Sequence, residues 1–457
     1  MNTDTIAAIA TFPGNAGINI IRISGDNALN IAEKIFVKKN KEKSLKLKAR
    51  YLHYGHIVDK DGKAIDEVLV SYMKGPNTYT KEDIIEINCH GGIISAKKIL
   101  ETVLMHDCRP AERGEFTKRA FLNGRIDLTQ AEAVIDIINS KTDSSHEISV
   151  NHLEGRLSRE INEIINNIME LLANIEVNID FPEYDEDEVT IGKVKELSEN
   201  IVSKVDRLIK TADTGKIFKE GIKTVILGKP NVGKSSLMNF LLNENRAIVT
   251  EVPGTTRDTI EEYVNIKGVP LRIIDTAGIR ETEDKVEKIG VEKALQKVDE
   301  ADLVIMIFDS SRELEKDDEK ILEYIKNKRV IYIKNKLDLE ARLDLSDYIN
   351  IEKEAIGISV LKNQGLDEII DKVSQMFFEG SINVSDELII NNVRHKNLLI
   401  NAKRSLEEVL SSIENSMTID FIEIDLKQAM EHLGLIIGKS VSDDLMDKIF
   451  NEFCIGK

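Results

Sequence analysis

Four short motifs in the middle of the chain constrain its fold more than any other feature. In chain order they are Gly228-Lys-Pro-Asn-Val-Gly-Lys-Ser235, Thr255-Thr-Arg-Asp258, Asp275-Thr-Ala-Gly278 and Asn335-Lys-Leu-Asp338. The first, third and fourth each follow an apolar run of the kind that forms a buried strand. Loops that follow such strands, with helical patterns between them, are typical of an α/β domain with a parallel sheet. We therefore predict a P-loop α/β domain over residues 218–378.

The chemistry of these motifs predicts a guanine-nucleotide pocket. The glycine-rich first motif lets backbone N–H groups face phosphates at a helix N-terminus, and Lys234 is placed to reach the β and γ phosphates. Ser235 is a candidate Mg²⁺ ligand, and Asp275 can hold the same ion through water. The Asp338 carboxylate can accept the N1–H and the exocyclic amine of guanine, which adenine does not offer. We therefore expect a Ras-like P-loop GTPase domain that binds GTP.

The motifs differ from those of the best-known small GTPases at one position. Ile279 follows Asp-Thr-Ala-Gly, where those GTPases carry a glutamine that orients the attacking water. Another group must therefore assist hydrolysis. Asn231 and the Thr250–Thr255 segment are similar to those of GTPases in which K⁺ takes the place of an arginine finger. Either cation stabilises the charge that develops between the β and γ phosphates.

Composition limits the class of protein. The chain has 457 residues, enough for two or three domains, with 42% hydrophobic and 31% charged residues, as in soluble globular proteins. It has three cysteines, no secretory signal at its start and no apolar run of about 18 residues, so we expect a cytoplasmic protein that does not enter membranes. A net charge of −18 argues against broad attraction to nucleic acid. The densest basic segment, residues 38–50, is either a solvated loop or a local contact with an RNA backbone.

The regions around the α/β module predict two further domains. Residues 1–118 alternate Ile- and Val-rich runs with two helical patterns, which favours a small α+β domain. Residues 119–217 and 379–457 are helical in pattern, with apolar stripes that either pack within one bundle or pair as a coiled coil. The few helices after residue 379 can hardly bury their apolar faces alone. We therefore predict one discontinuous helical domain into which the GTPase module is inserted.

The two ends of the chain are similar to a known family. The similarity rests on the last residues, Cys454-Ile-Gly-Lys457, and on three N-terminal segments: Thr11-Phe-Pro-Gly-Asn-Ala-Gly17, Cys89-His-Gly-Gly92 and the run Gly114–Arg125. Together with the four motifs, they resemble the MnmE (TrmE) family of tRNA uridine-modification GTPases over essentially the whole chain. The resemblance implies a homodimer that binds 5-formyl- or 5,10-methylene-tetrahydrofolate and forms a heterotetramer with the flavoprotein MnmG. It also implies that the complex adds an aminomethyl or carboxymethylaminomethyl group to carbon 5 of the wobble uridine of certain tRNAs. In this family, K⁺-dependent pairing of the GTPase domains activates hydrolysis.

The resemblance implies roles for individual residues. The implied folate contacts are Arg22, Glu86, Arg125 (where the family commonly has lysine) and Lys457. The implied K⁺ ligands are Asn231, Thr250, the Val252 carbonyl and Thr255, and the implied Mg²⁺ ligands are Ser235 and Thr256. Glu287 matches a water-positioning glutamate, and the other candidate catalytic residues are Asn231, Lys234 and Cys454. The full set of expected nucleotide contacts is Asn231, Val232, Gly233, Lys234, Ser235, Ser236, Thr250, Glu251, Val252, Pro253, Gly254, Thr255, Thr256, Asp275, Thr276, Ala277, Gly278, Asn335, Lys336, Asp338, Ser359, Val360 and Leu361.

Several residues keep a second interpretation. Glu287 lies in a charged run that is also typical of a solvated helix start. Cys454 is either a small buried apolar side chain or a nucleophile for the uridine or the one-carbon unit. His90 is either structural or part of the folate site, whereas Cys89 and Cys108 are expected to be structural. For the whole chain, the alternative is a GTP-switched ribosome-assembly or RNA-binding factor without covalent chemistry of its own.

Overall fold

The chain divides into two compact units, each assembled from segments that are distant in sequence. The structure is a computed structural model that describes residues 4–12, 14, 16–38, 46–180, 187–245, 262–266, 268–274, 297–377 and 387–457. One unit contains Met1–Ile135, His152–Ile165 and Leu433–Lys457. We call it the terminal unit because it holds both chain ends. The other, which we call the P-loop unit, contains Asp136–Asn151 and Asn166–His432.

The terminal unit is built on a seven-stranded sheet. Its strands are β1 (Ile6–Ile9), β2 (Ile18–Ser24), β3 (Phe36–Lys38), β4 (Leu52–Val58), β5 (Ala64–Met73), β6 (Ile84–His90) and β7 (Arg109–Pro110). They lie in the order β3-β4-β5-β6-β2-β1-β7, and every pair is antiparallel except β1 with β7. Side chains alternate between the two faces, so Val68 and Val70 of β5 are buried while Leu69 between them is exposed.

Two helices bury their apolar stripes against this sheet. They are α1 (Ala28–Ile35) and α2 (Ile93–Leu104). Residues three and four apart on α1, such as Ala28, Ile31 and Ile35, share one apolar core with Ile99 of α2 and with the sheet. The two helical patterns in residues 1–118 therefore form the helices of an α+β domain, as predicted.

The P-loop unit contains a six-stranded sheet. Its strands are β8 (Ile222–Leu227), β9 (Glu262–Ile266), β10 (Val269–Ile273), β11 (Leu303–Asp309), β12 (Val330–Asn335) and β13 (Ile356–Gly357). They lie in the order β13-β12-β11-β8-β10-β9, parallel except for the pair β9–β10. The helices that accompany them are α8 (Lys234–Asn245), α9 (Lys316–Ile325), α10 (Ile349–Glu354) and α11 (Leu366–Phe377). Every residue of β11 is buried, as in a parallel sheet covered on both faces. The predicted α/β module is confirmed.

The remaining described helices lie before and after the α/β module in sequence. They are α3 (Glu115–Leu122), α4 (Leu128–Asn139), α5 (Asp143–Leu153), α6 (Arg156–Asp180), α7 (Asp187–Glu220), α12 (Val393–Glu414), α13 (Ile419–Ile437) and α14 (Asp443–Phe450). Helix α7 packs along α12, with Lys403 Nζ 2.7 Å from Asp206 Oδ1. Within the described residues, no helix has both the length and the apolar character to cross a membrane.

The predicted mixed α/β class, with an N-terminal α+β domain, a helical domain and a P-loop module, is confirmed. The predicted boundaries at 118/119 and 217/218 fall inside α3 and α7. The boundary at 378/379 lies outside the described residues.

Candidate nucleotide site and C-terminal tail

The phosphate loop connects the end of β8 to the start of α8, as the first motif requires. Gly228, Asn231 and Gly233 have positive φ angles of 144°, 63° and 104°. Lys234 Nζ donates to the carbonyl oxygens of Gly228 and Lys229, both at 2.7 Å, so this lysine reaches across the loop. A curled loop at the N-terminus of a helix presents backbone N–H groups to an anion. The geometry therefore fits a nucleotide phosphate.

The two outer glycines of the loop are required by space as well as by φ. A Cβ on Gly228 would lie 2.5 Å from the carbonyl oxygen of Ile307 in β11. A Cβ on Gly233 would lie 2.2 Å from Asn335 Nδ2. Such contacts are too short for any residue with a side chain. These glycines therefore let the phosphate loop lie directly against β11 and the fourth motif.

Asn335 joins the phosphate loop to the loops expected to hold the base. It ends β12 and is 3% exposed. Its Nδ2 donates to the carbonyl oxygen of Val232 at 2.8 Å. Its Oδ1 accepts from the backbone N–H of Lys336 at 2.8 Å and of Val360 at 3.3 Å. Since these three bonds all go to protein backbone, Asn335 holds the phosphate loop and the segment at Val360 in fixed positions.

Asp338 carries the carboxylate expected to recognise guanine. Its Oδ1 accepts from Ser359 Oγ at 2.5 Å. This hydrogen bond lowers the pKa of Asp338 from its ordinary value and so favours the carboxylate form. An ionised carboxylate can accept two N–H donors from one edge of a base. Together with the Asn335–Val360 bond, the Ser359 contact places the predicted segment Ser359, Val360 and Leu361 beside the fourth motif.

Two residues that were not predicted also shape this site. Asp309 ends β11, and its Oδ2 accepts from Lys336 Nζ at 2.7 Å. Burial acts to raise the pKa of Asp309, but the bonds from Lys336 and Ser311 outweigh burial and lower it. Lys229 Nζ lies 2.7 Å from Asp318 Oδ2, near the start of α9. A wholly apolar strand that ends in aspartate is a signal that could have identified Asp309, whereas nothing in the sequence distinguishes Lys229.

The other predicted residues of this site lie outside the described residues. They are Thr250, Glu251, Val252, Pro253, Gly254, Thr255, Thr256, Asp275, Thr276, Ala277, Gly278 and Glu287. The described strands β9 and β10 occupy the sequence between the segments that hold Thr256 and Asp275. Most of the basic segment, residues 39–45, also lies outside the described part of the chain.

The C-terminal tail, Cys454–Lys457, is bound within the terminal unit by its backbone. The carbonyl oxygen of Gly456 accepts from Arg22 Nη1 at 3.1 Å. The backbone N–H of Phe116 donates to the carbonyl oxygen of Lys457 at 3.2 Å. Gly456 has φ 94°, and a Cβ there would lie 2.5 Å from the carbonyl oxygen of Ile9. Only glycine fits this position, so the tail packs in one specific position against β1, β2 and α3.

The four predicted folate residues come together around this tail. Arg22 of β2 lies opposite Glu86 of β6, and Arg22 Nε donates to Glu86 Oε1 at 2.9 Å. The guanidinium carbons of Arg22 and Arg125 lie 5.8 Å and 4.4 Å from the centre of the Tyr79 ring. The main chain of Lys457 contacts the same region through Phe116. The structure thus joins four parts of the chain at one place.

Two aromatic residues of this region were not predicted. Tyr79 faces both arginines, and the ring centre of Phe116 lies 5.7 Å from the guanidinium carbon of Arg22. Neither residue belongs to a motif that the sequence marks as a binding site. Phe116 is fully buried in the core, so of the two rings only the partly exposed Tyr79 can face a ligand. One aromatic face, two cations and one carboxylate in the same place suit a ligand with a flat ring, amide donors and an anionic end. The donor set therefore fits a folate.

The three cysteines differ in environment. Cys454 is exposed, so its interpretation as a small buried apolar side chain is wrong. Cys89 is buried, and burial raises the pKa of its thiol to about 11. Burial likewise raises the pKa of the partly buried Cys108 to about 11. Neither of these two thiols is activated, as expected for structural cysteines.

His90 forms an ion pair on the surface. Its Nδ1 lies 2.7 Å from Asp66 Oδ1, and this contact raises the pKa of the imidazole. The second carboxylate oxygen of Asp66 accepts from Ser95 Oγ at 2.6 Å, at the start of α2. The pair accounts for His90 structurally.

Comparisons with known proteins cover nearly the whole chain. A family model described as the MnmE helical domain matches residues 128–454, and one described as the GTP-binding protein TrmE N-terminus matches residues 5–125. The chain is 53% identical over 456 residues to the tRNA modification GTPase MnmE of Clostridioides difficile (strain 630), covering 99% of each chain. It is 52% identical over 457 residues to the tRNA modification GTPase MnmE of Alkaliphilus oremlandii (strain OhILAs), again covering 99% of each. Among solved structures it is similar to Aquifex aeolicus Era bound to GDP and AlF4⁻, at 32% identity and a TM-score of 0.27, covering 40% of this chain and 66% of that one.

Proposed function

The chain belongs to the MnmE family of tRNA modification GTPases, and from that premise we propose that it carries out a complete tRNA-uridine modification cycle. GTPase activity and a role in tRNA modification follow from family membership. The finer proposal is that a homodimer of this chain works with the flavoprotein MnmG on carbon 5 of the wobble uridine. The one-carbon unit comes from 5-formyl- or 5,10-methylene-tetrahydrofolate, and K⁺ activates GTP hydrolysis.

The position of the C-terminal tail is the main support for the folate part of the proposal. The tail contacts Arg22, which also pairs with Glu86 and lies near Tyr79. In the proposal, Glu86 accepts the amide-type donors of the pterin, Tyr79 stacks on the ring, and Arg125 with Lys457 holds the anionic glutamate tail. Cys454, exposed and in the same tail, is the thiol proposed to act on the uridine or on the one-carbon unit. The absolute requirement for glycine at position 456 supports a specific role for the tail.

The phosphate loop and the fourth motif support the nucleotide part of the cycle. Bound Mg²⁺ would neutralise phosphate charge, with Ser235 and Thr256 as its proposed protein ligands. Lys234 would move from its present carbonyl partners to the phosphates. Asn231, already in the left-handed region, would offer its side chain to K⁺ along with Thr250, the Val252 carbonyl and Thr255. Glu287 is the proposed water-positioning residue.

The uncovered face of the terminal sheet supports the homodimer. Leu52 is 67% exposed, Tyr54 43% and Leu69 42%, all on the neighbouring strands β4 and β5. Tyr54 and Leu69 are register partners, so these side chains form one continuous apolar surface. Contiguous exposed apolar side chains mark interaction surfaces. We assign this face to pairing with a second copy.

The folate proposal is tested by titrating 5-formyltetrahydrofolate into the full chain and measuring binding by calorimetry. We expect one saturable site per chain. Glu86→Gln and removal of Lys457 should each weaken binding by about tenfold or more, because each removes a charge-assisted contact.

Lys448→Ala, which removes an exposed lysine from α14, is the matched control and should bind like the parent chain. Absence of saturable binding, or equal affinity after removal of Lys457, would overturn the folate assignment. The GTPase rate of each variant, measured in parallel, separates this result from loss of the nucleotide site.

A further inference from the structure

One buried carboxylate binds both connections of the inserted α/β module. Asp136 lies in α4 and is 8% exposed. Lys219 Nζ lies 2.8 Å from its Oδ1, and Asn391 Nδ2 donates to its Oδ2 at 3.3 Å. Lys219 is in the last turn of α7, directly before β8, and Asn391 lies directly before α12. Asp136 therefore touches the chain where it enters the module and where it returns from it.

These two connections also contact each other closely. The backbone N–H of Ile390 donates to Thr211 Oγ1 of α7 at 3.1 Å. A Cβ on Gly215 would lie 1.9 Å from the carbonyl oxygen of Ile390, so only glycine fits there. Lys396 Nζ of α12 also lies 2.6 Å from Asp213 Oδ1 of α7. The end of α7 and residues 389–396 thus pack side by side. We call this pair of connections the neck, and Asp136 is bound to both.

The segment that carries Asp136 also lies against the edge of the module's sheet. Ile148 of α5 is buried in the same apolar core as Val264 of β9 and Val269 of β10. A Cβ on Gly268, in the turn between these strands, would lie 2.8 Å from Ser144 Oγ. Lys141 Nζ lies 5.8 Å from the centre of the Tyr263 ring. In sequence, β9 and β10 fill the interval between the second and third nucleotide motifs, so this hairpin is the covalent connection between those two motifs.

The space beside Asp136 is a cleft that is partly open to solvent. It has a volume of about 250 Å³ and is lined by Asp136, Asn139, Ser145, Tyr263, Arg272 and Asn391 among others. The side-chain oxygen of Asn391 is buried without a hydrogen-bond partner among the described residues. Buried polar atoms are normally paired. The present arrangement therefore leaves both room and an unused acceptor for a second arrangement of the same groups.

We propose that Asp136 is a positioning residue that couples the nucleotide state of the P-loop module to the helices around the neck. In one nucleotide state, the Asp136 carboxylate holds Lys219 and Asn391 together. In the other, movement of the β9–β10 hairpin against residues 141–148 changes these contacts. A ligand shifts such an equilibrium only through contacts that differ between the two states. The Asp136 contacts supply that difference.

Hydrogen–deuterium exchange of the full chain, with GDP and with GDP plus AlF4⁻, tests this coupling. In the parent chain, amides of residues 139–150 and 387–396 should exchange differently in the two nucleotide states. In Asp136→Asn and Lys219→Met, that difference should shrink by about fivefold or more, the size of a typical coupling factor. GDP affinity should stay within about twofold, because neither residue touches the nucleotide loops. Glu199→Gln, an exposed carboxylate of α7 outside the neck and outside residues 141–148, is the matched control and should behave like the parent chain.

Two results decide against the proposal. Lys219→Met removes the ion pair at its more exposed partner. If the difference in exchange between the two nucleotide states is unchanged in this variant, the proposal is overturned, even if Asp136→Asn fails to fold. The double variant should lose no more of the nucleotide-dependent exchange difference than either single variant, because both substitutions act through one contact. Additive losses of that difference would also contradict the proposal.

Discussion

At the scale of single residues, Asp338 and Asn335 do different work although they belong to one motif. Asn335 is buried and bonded to three backbone groups, so it shapes the site. Asp338 accepts from Ser359 through one oxygen, and this bond lowers its pKa and fixes the orientation of the carboxylate. Substitution of Asn335 should therefore disturb the phosphate loop as well, whereas substitution of Asp338 should change which base is recognised.

Replacing the carboxylate of Asp338 should alter base selectivity more than phosphate binding. In Asp338→Asn, GTP affinity should fall by about 100-fold or more, because two charge-assisted bonds to guanine are lost. Affinity for xanthosine triphosphate should rise, since the amide can donate to the carbonyl that xanthine carries in place of the amine. Competition binding with both nucleotides measures this. Glu340→Gln, in the same loop and exposed, should keep GTP preference. A parallel loss for both nucleotides would contradict the assigned role.

At the scale of elements, a partly buried ion network joins the start of the chain to β7 and α3. Arg109 contacts Asp4 and Glu115, each at 2.5 Å, and Arg119 contacts Asp4 at 2.8 Å and Glu115 at 3.1 Å. Burial acts to raise the pKa of Glu115, but hydrogen bonds from Arg109, the Glu112 backbone and Arg119 outweigh it and lower the pKa. The pKa of Asp4 is lowered for the same reasons. The network therefore holds α3 in place beneath the tail.

This network predicts a specific pH dependence of stability. An acid whose pKa is lowered on folding adds stability that is complete above its ordinary pKa and is lost as the pH falls through the folded value. The ordinary values here are 4.5 for glutamate and 3.8 for aspartate. Thermal unfolding temperatures of the parent chain should therefore drop steeply below pH 4.5, the ordinary glutamate value.

The variant Glu115→Gln isolates the contribution of this carboxylate. It should cost about 1–3 kcal/mol at pH 7, because two arginines lose a charged partner, and should show a shallower acid slope. Glu101→Gln, on the exposed face of α2, should follow the parent curve. Identical acid slopes for Glu115→Gln and the parent would show that the network adds no pH-dependent stability.

At the scale of the whole molecule, we propose that the potassium site acts only when two copies of the chain pair. The phosphate loop already holds Asn231 at φ 63°, a conformation that asparagine tolerates better than most residues. The remaining proposed ligands come from the segment around Thr250 to Thr255, and pairing of modules would exclude water from the cation. GTPase activity is then a property of the assembly.

We expect GTP hydrolysis to be several-fold faster in KCl than in NaCl at equal ionic strength, and to rise with protein concentration. Na⁺ is too small for a site built from carbonyl oxygens and an asparagine amide. Asn231→Gly keeps the backbone conformation and removes the side-chain ligand, so it should bind GTP but lose the potassium effect. Steady-state phosphate release in the two salts measures this. Equal rates in both salts would remove the potassium site from the mechanism.

Much of the nucleotide module can be predicted from the sequence because the sequence signals for its strands, loops and helices are local. Strand, loop and helix follow one another within about ten residues around the phosphate loop, and periodicity with glycine placement specifies each. The end of an apolar strand marks Asp309 as a candidate, but its role escaped prediction because its partner Lys336 follows the neighbouring parallel strand β12. Tyr79 and Phe116 escaped for a similar reason: each belongs to a loop or helix whose partner, Arg22, lies far away in sequence.

Local chemistry thus specified the guanine-nucleotide motifs, the class of each domain and the family, since these depend on residue type and short spacing. Folding was needed to place Gly456 against Arg22, 434 residues away along the chain. Folding also joined Lys219 and Asn391 at Asp136, and it exposed Cys454. Contacts of this kind depend on which surfaces pack together once the whole chain has collapsed. They leave no periodic or local trace in the sequence, because burial and register, not spacing, decide them.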